Sequence, residues 1–411
     1  MRIAFFCTRF PSVSETFVLT QMAGLLDQEF EIDVHAIKPE QGGVIQPIFE
    51  EYGLEKHISY RGRIGSIPGR LVTATCLLIR FGLTSPLKLL ALKKLVKTVP
   101  EISFVAALFT LRGLRSRPEA DVLYAHFGPN GQAAATLKAV GLIDLPIVTV
   151  FHGFDVTTVI KKWGPDYYRC LFEHGTLMLP VSQEFKRRLI EMGCPAEKIQ
   201  VHHMGVDIQS LDYRRRTLPA DGSEIQVLSI ARLVEKKGIA DGIQAVHALT
   251  QDSKIKIKYR IVGDGVLRPE LESLIEKLGC QKSVEMVGWK NQDEVKGFIE
   301  QSHIYLAPSV VAATGDEEGI PVVLMEAAAS GLFVISTRHS GIPELVRDHD
   351  TGLLADEHDV EGLTTALSEL CQNSELGQSL SENGRRLVEN EFEIHGLNTK
   401  LGELLRGHKK S

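Results

Sequence analysis

Ile225-Gln-Val-Leu-Ser-Ile-Ala-Arg232-Leu-Val-Glu-Lys-Lys237-Gly238 reads as one strand-to-helix step. The apolar run Ile225–Ile230 suits a strand buried on both faces, as in a parallel sheet. It releases cations and a glycine where the next helix should begin. The same step recurs on either side. Downstream, Lys258–Val262, Ser283–Val287, Ile304–Ala307 and Phe333–Ser336 are short apolar runs with helical spacing between them. Upstream, Arg2–Cys7, Val122–Ala125, Ile147–Phe151 and Leu177–Val181 form a first series. Glu15–Leu26 follows Arg2–Cys7 with helical spacing, and Ser12-x-x-Glu15 reads as a capping box at its start. Two α/β domains, each a doubly wound parallel sheet, account for this alternation. The polar stretch Thr217–Glu224 is the expected linker. It gives domains 1–216 and 225–390, with a C-terminal helix over 391–411 expected to pack back on the first domain.

A chain of 411 residues is too long for one ordinary core, which agrees with two domains. Hydrophobic content of 44% with charge at 24% is that of a globular protein. The six cysteines (7, 76, 170, 194, 280, 371) form no C-x-x-C pair. That argues for a reducing cytoplasm and against a disulfide framework or a zinc site. Arg9 and Pro11 cut the N-terminal apolar run short, so it reads as a strand and not as a secretory leader. No uncharged apolar stretch reaches the length that spans a bilayer. Charge is uneven: residues 61–117 hold eleven Lys and Arg against one acid, Glu101, in a chain of net charge −6. Apolar runs Leu71–Ile79, Leu87–Leu92 and Phe104–Leu111 share that stretch. Two readings stay open for it, a peripheral contact with anionic lipid on the inner membrane face and a set of amphipathic helices with a solvated basic side.

Glu318-Gly-Ile-Pro-Val-Val-Leu-Met-Glu326 places two carboxylates around a helix start. Pro321 suits the first helical turn, and Gly331 stands where such a helix would end. The N–H groups between the two acids form an anion site. An anion beside two carboxylates needs a reason, and a sugar nucleotide supplies one: its diphosphate takes N–H groups and its hydroxyls need acceptors. Arg232 and Lys237 would hold the diphosphate, although alone they read as a solvated helix start. Gly263-Asp264-Gly265 is expected to let the chain turn close to a bound base or diphosphate. Arg268 and Pro269 replace the rest of a G-x-G-x-x-G motif, which argues against a nicotinamide cofactor. His126 and His152 each end a strand beside a glycine. His202-His203 lacks a third ligand at metal spacing and reads as structural. Asp348-His-Asp350 has D-x-D spacing but lies in a turn-rich stretch closed by Gly352, so a loop role is expected.

The motif order resembles the GT-B retaining glycosyltransferases of family 4. Leu233-Val-Glu-Lys-Lys-Gly238, Val262-Gly-Asp-Gly265, Glu318–Glu326 and Ser340-Gly-Ile-Pro-Glu344 stand at that family's spacing, and the likeness covers nearly the whole chain. Ser14-Glu-Thr-Phe17, His126–Gly131 and Leu306-Ala-Pro-Ser309-Val310 are similar to the branch that builds colanic acid and amylovoran-type exopolysaccharides. The resemblance implies two Rossmann-like domains facing a deep cleft. It implies that Glu326 accepts from ribose hydroxyls, that Glu318 and His152 meet the donor sugar, and that Arg232 and Lys237 neutralise the leaving diphosphate. The backbone around Gly319, Ile320 and Val322, together with Ser309 and Gly263–Gly265, would complete the donor site. A nucleotide sugar and a glycan or lipid-linked acceptor are the expected partners, with no metal, no other cofactor and no nucleic acid. Many relatives have a Gly-Gly loop after the first strand. This chain has Ser14-Glu15-Thr16, which suggests a part in shaping the acceptor site. A sugar-nucleotide 2-epimerase and a non-catalytic sugar-nucleotide-binding subunit are the alternatives.

Overall fold

β1 (Arg2–Arg9) lies at the centre of a six-stranded parallel sheet with β2 (Glu31–Lys38), β3 (Ile58–Tyr60), β4 (Val122–His126), β5 (Ile147–Phe151) and β6 (Leu177–Pro180). The spatial order is β3-β2-β1-β4-β5-β6. Phe5 of β1 stands opposite Val34 on one side and Tyr124 on the other, and all three are fully buried. Burying a large apolar side chain stabilises by about 1.5–3 kcal/mol, so every residue of β4 and β5 being buried explains why these runs hold the sheet. The computed structural model describes residues 1–11, 16–38, 47–60, 75–76, 79, 82–84, 86–96, 119–219, 223–252 and 255–410. The expected capping box at Ser12–Glu15 and most of the basic stretch 61–117 lie outside them. The helix Thr16–Leu26 begins where they resume.

A second six-stranded parallel sheet repeats the plan. It contains β7 (Ile225–Ile230), β8 (Ile257–Val262), β9 (Val284–Gly288), β10 (Ile304–Ala307), β11 (Phe333–Thr337) and β12 (Leu353–Ala355), in the order β12-β11-β10-β7-β8-β9. Each sheet therefore reverses its winding once, between β1 and β4 in the first and between β10 and β7 in the second. Ligands of doubly wound sheets bind outside the carboxyl ends of the strands at such a switch point. Among the described residues no helix is long and apolar enough to cross a membrane.

The chain divides into one unit of Met1–Val181, Lys186–His202 and His395–Ser411 and another of Ser182–Phe185 and His203–Ile394. Residues 203–216 thus belong with the second domain and not, as expected, with the first. The reason is packing that polarity does not report. The buried Arg216 guanidinium donates to the carbonyls of Ile299, Glu300 and Ser330. Val206 pairs with Glu393, and its N–H donates to Phe392 O at 2.9 Å. The helix Ile394–Gly407 lies within the first unit, where Gln28 Nε2 donates to Asn398 O at 2.9 Å. Gly24 leaves room for Asn398, since a Cβ there would stand 1.9 Å from its side-chain nitrogen.

Candidate active site

In the second domain the loops after β7 and β10 are locked together at the switch point. The loop after β7 makes a short turn, Glu235–Lys237, that ends on Gly238 at φ 59°. A Cβ at Gly238 would lie 1.7 Å from Pro308 O, so only glycine permits this approach. Val310 N then donates to Lys236 O at 3.0 Å. The result aims both lysines at the acidic part of the second loop. Lys237 Nζ is 3.1 Å from Glu318 Oε2, and Lys236 Nζ is 3.1 Å from Glu318 Oε1 and 3.0 Å from Asp316. Burial alone would push the Glu318 carboxyl up. The attraction of Lys237, then of Lys236, overrides that and holds it at about 2.

Lys237, expected to face the diphosphate, is paired with Glu318 in this structure, and Lys236, which the sequence reading left out, completes the cluster. Two lysines against Asp316 and Glu318 make the cluster neutral, so an incoming anion meets no net negative charge. Arg232 is exposed and has no side-chain partner among the described residues.

The helix of the decisive motif runs Val322–Ala329, with Pro321 as its N-cap and not, as expected, in its first turn. Leu324 N and Met325 N both donate to Pro321 O. Gly331, at φ 83°, follows the C-cap Ser330. Among the described residues no protein acceptor takes the N–H of Gly319, Ile320, Val322 or Val323. The Glu318 N–H is different, because it donates to His339 Nε2 at 3.0 Å. Glu326 lies within the helix, and burial raises its carboxyl above the usual range while Lys296 offsets part of that rise. No side chain or backbone group among the described residues donates to it. The side chain is half-buried, so its oxygens keep an open side for hydrogen bonds from outside the protein.

The glycines after β8 approach the protein's own backbone. A Cβ at Gly263 (φ 133°) would stand 1.9 Å from Ala231 O, and one at Gly265 2.5 Å from Leu233 O. They fix the loop that carries Arg232. The Asp264 carboxylate accepts from Gly265 N at 2.7 Å and faces Arg268 at 3.9 Å. Ser309 is buried, and its carbonyl accepts from the Thr337 hydroxyl. A pocket opens between the ends of β7 and β10, lined by Ala231, Lys237, Tyr305, Ser309, Pro321 and Val323 among others. The pocket, the lysine–glutamate cluster and the vacant N–H groups belong to one region.

In the first domain His126 is the last residue of β4 and is wholly buried, so it does not face solvent. His126 Nδ1 lies 2.9 Å from His152 Nε2, with the two rings stacked 5.1 Å apart. Phe17 and Phe127 flank His152 at 4.6 and 4.7 Å. Burial holds His152 at about 3 and His126 well below the ordinary imidazole range, so both are neutral at physiological pH. The loop is set by Asp155, another residue missed from sequence. Its carboxylate accepts from the N–H groups of Gly128, His152 and Gly153. The D-x-D stretch has the loop role expected of it, since Asp348 accepts from Leu354 N and Asp350 from Asn383. His203 pairs with Glu344 at 2.8 Å, and no metal cluster is found among the described residues. Ser14 and Glu15 lie outside the described residues.

Two doubly wound parallel sheets of this order, one in each domain, define a GT-B protein. The family described as Glycosyl transferases group 1 matches residues 212–387, and Glycosyltransferase Family 4 matches residues 92–210. The chain is 37% identical over 385 residues to the putative colanic acid biosynthesis glycosyltransferase WcaL of Salmonella typhimurium, covering 90% of each chain. It is 34% identical to the amylovoran biosynthesis glycosyltransferase AmsK of Erwinia amylovora, covering 90% of this chain and 91% of that one. The crystal structure of Anabaena Alr3699/HepE in complex with UDP superposes with a TM-score of 0.71 at 16% identity, over 99% of this chain and 100% of that one. The chain belongs to the family 4 glycosyltransferases, together with the colanic acid and amylovoran enzymes.

Proposed function

We propose that the protein transfers a sugar from a nucleoside diphosphate donor to an acceptor hydroxyl with retention of anomeric configuration. The acceptor we propose is a lipid-linked glycan of exopolysaccharide or capsule assembly. The observation that carries this reading is Glu326, a half-buried carboxylate at the second switch point with no protein donor among the described residues. A ribose offers two hydroxyls to such a group. Glu318 takes the sugar, and we assign His152 a part in sugar recognition. Arg232, Lys236, Lys237 and the N–H groups of Gly319, Ile320 and Val322 take the diphosphate. Arg232 and the N–H dipoles supply the positive potential that stabilises the charge building as the bond from the anomeric carbon to the phosphate oxygen breaks, while the lysines, matched by Asp316 and Glu318, donate hydrogen bonds. The acceptor oxygen forms its bond on the same face, and its proton passes to the departing phosphate. Charge compensation comes from the protein, so no cofactor is assigned. UDP and glucose bound in HepE support this class of donor.

The same reading places the enzyme at the cytoplasmic face of the membrane. The basic stretch 61–117 supports it, as do Leu83, 82% exposed just before the lysine-bearing helix Pro86–Val96, and Leu87 and Leu90 within that helix, 80% and 65% exposed. Flotation with anionic vesicles should be salt-sensitive, and the absence of binding would remove this part. For the donor, a thermal-shift screen of sugar nucleotides should find one that raises Tm. Glu326→Ala should abolish that shift. If no sugar nucleotide shifts Tm and Glu326→Ala transfers sugar normally, the reading is wrong.

A further inference from the structure

Strands β12, β11 and β10 lie side by side, and the loops from their carboxyl ends meet. The loop after β10 carries Glu318, that after β11 carries His339, and that after β12 carries Glu357. His339 is wholly buried. Its Nε2 is 3.0 Å from Glu318 N, and its Nδ1 is 2.7 Å from Glu357 Oε1. The other oxygen, Glu357 Oε2, accepts from Val311 N at 2.8 Å. These partners set the tautomer. A backbone N–H can only donate, so Nε2 must present a lone pair. An ionised carboxylate can only accept, so the ring proton sits on Nδ1 and is donated to Glu357.

We infer that His339 and Glu357 are positioning residues for donor-sugar transfer: Glu357 holds His339 in its Nδ1–H tautomer, and His339 holds the backbone of Glu318. The inference rests on the reading of Glu318 as the donor-sugar contact. Its physical content is an acceptor placed beneath one N–H of a loop whose next N–H groups are left for the ligand. With Glu318 N anchored, the carboxylate stays between Lys236 and Lys237, and the Gly319 and Ile320 amides keep a fixed direction. Glu357 anchors the same loop a second time through Val311. Neither side chain touches the reacting atoms in this scheme; both act through Glu318.

Glu357→Gln is the discriminating substitution. Its amide has one oxygen for two donors. An amide nitrogen turned toward Nδ1 forces the imidazole proton onto Nε2, where it meets the Glu318 N–H head-on. A tautomer shift of this kind is costly in other enzymes whose imidazole is oriented by a carboxylate. The full chain and its variants are assayed with UDP-glucose and GDP-mannose as donors, and with UDP and GDP as sugar-free controls. Whichever donor the wild type turns over is used for kinetics. Glu357→Gln and His339→Phe should lower kcat roughly 10-fold to 100-fold, the range for a displaced reacting group, with a smaller loss of UDP or GDP affinity because the Gly319 and Ile320 amides turn with Glu318. His339→Gln, with an acceptor and a donor about as far apart as the ring nitrogens, should recover most of the loss. Glu357→Gln should add nothing to His339→Phe, because the two act as one unit. Nitrogen-15 NMR of the wild type should show the proton on Nδ1. A wild-type ring protonated on Nε2 overturns the inference whatever the variants do. So does a normal kcat in Glu357→Gln while Glu318→Gln is inactive. A normal kcat in Glu318→Gln would instead overturn the reading of Glu318 on which the inference rests.

Discussion

Lys237 Nζ and Glu318 Oε2 meet at 3.1 Å across the switch point of the second sheet, joining the loop after β7 to the loop after β10. Both side chains are less than 15% exposed, so water does little to screen the pair. Removing one partner of such a pair strands the other, at a cost of about 3–5 kcal/mol. Lys237→Met should therefore unfold at lower urea than wild type, although Lys236 softens the loss. Lys237→Met combined with Glu318→Gln should recover part of that stability but none of the activity. Urea titration and single-turnover kinetics on the four proteins of the cycle measure both. Additive stabilities would show that the contact is not coupled.

Glu326 should behave in the opposite way. Its folded carboxyl is raised above 4.5 by burial, with Lys296 pulling it partly back. A raised carboxyl contributes stability that is present below the unfolded value and lost as pH rises through the folded one. Glu326→Gln removes this liability. The ligand-free variant should be more stable than wild type at neutral pH, and the difference should vanish below about pH 4.5. Its donor KM should rise. A variant less stable at neutral pH would mean that the carboxylate has a structural partner.

The alternation of strands was legible because most of them are continuous apolar runs, and β5, β7 and β10 have the expected ends. Three strands escaped for identifiable reasons. β2, Glu31-Ile-Asp-Val-His-Ala-Ile-Lys, interleaves polar residues, yet Asp33 is buried because Arg2 pairs with it at 3.1 Å. β3 and β12 have three residues each at the sheet edges, too few for a period to show. At the site, residue types were legible but partners were not. The Lys236–Glu318 contact spans 82 positions, and nothing local distinguishes Lys236 from Lys237. His339 and Asp155 act on backbone N–H groups, whose directions only the fold supplies.

The His126–His152 pair makes a prediction about acid. Burial holds His152 at about 3, and burial followed by the His152 charge holds His126 well below 6.5. Below 6.5 the unfolded chain takes up protons that the folded one refuses. Stability therefore falls with pH from 6.5 toward 3, by up to about 1.4 kcal/mol per pH unit for each ring. His126→Phe removes one ring, so the difference between variant and wild type should cancel the carboxylates and show a shallower acid slope. Denaturant unfolding between about pH 6.5 and pH 4 reads it. A variant with the wild-type slope would place a charged imidazole in the folded protein.

Asp155 sets two opposing effects against each other in one side chain. Burial raises its carboxyl to about 6, while the N–H groups of Gly128, Gly153 and His152 favour the ionised form. Asp155→Asn leaves one oxygen for those three donors, at about 1–3 kcal/mol for each left unsatisfied. The amide group also turns a donor toward donors. The His152 loop should shift, and sugar transfer should fall with it. The pH dependence decides which effect wins. If burial wins, wild-type Asp155 contributes stability that is fully present below 3.8 and lost as pH rises through about 6. The deficit of the Asn variant should then be larger at about pH 4 than at about pH 7. A deficit that grows with pH instead would mean that the three backbone donors, and not burial, govern the site.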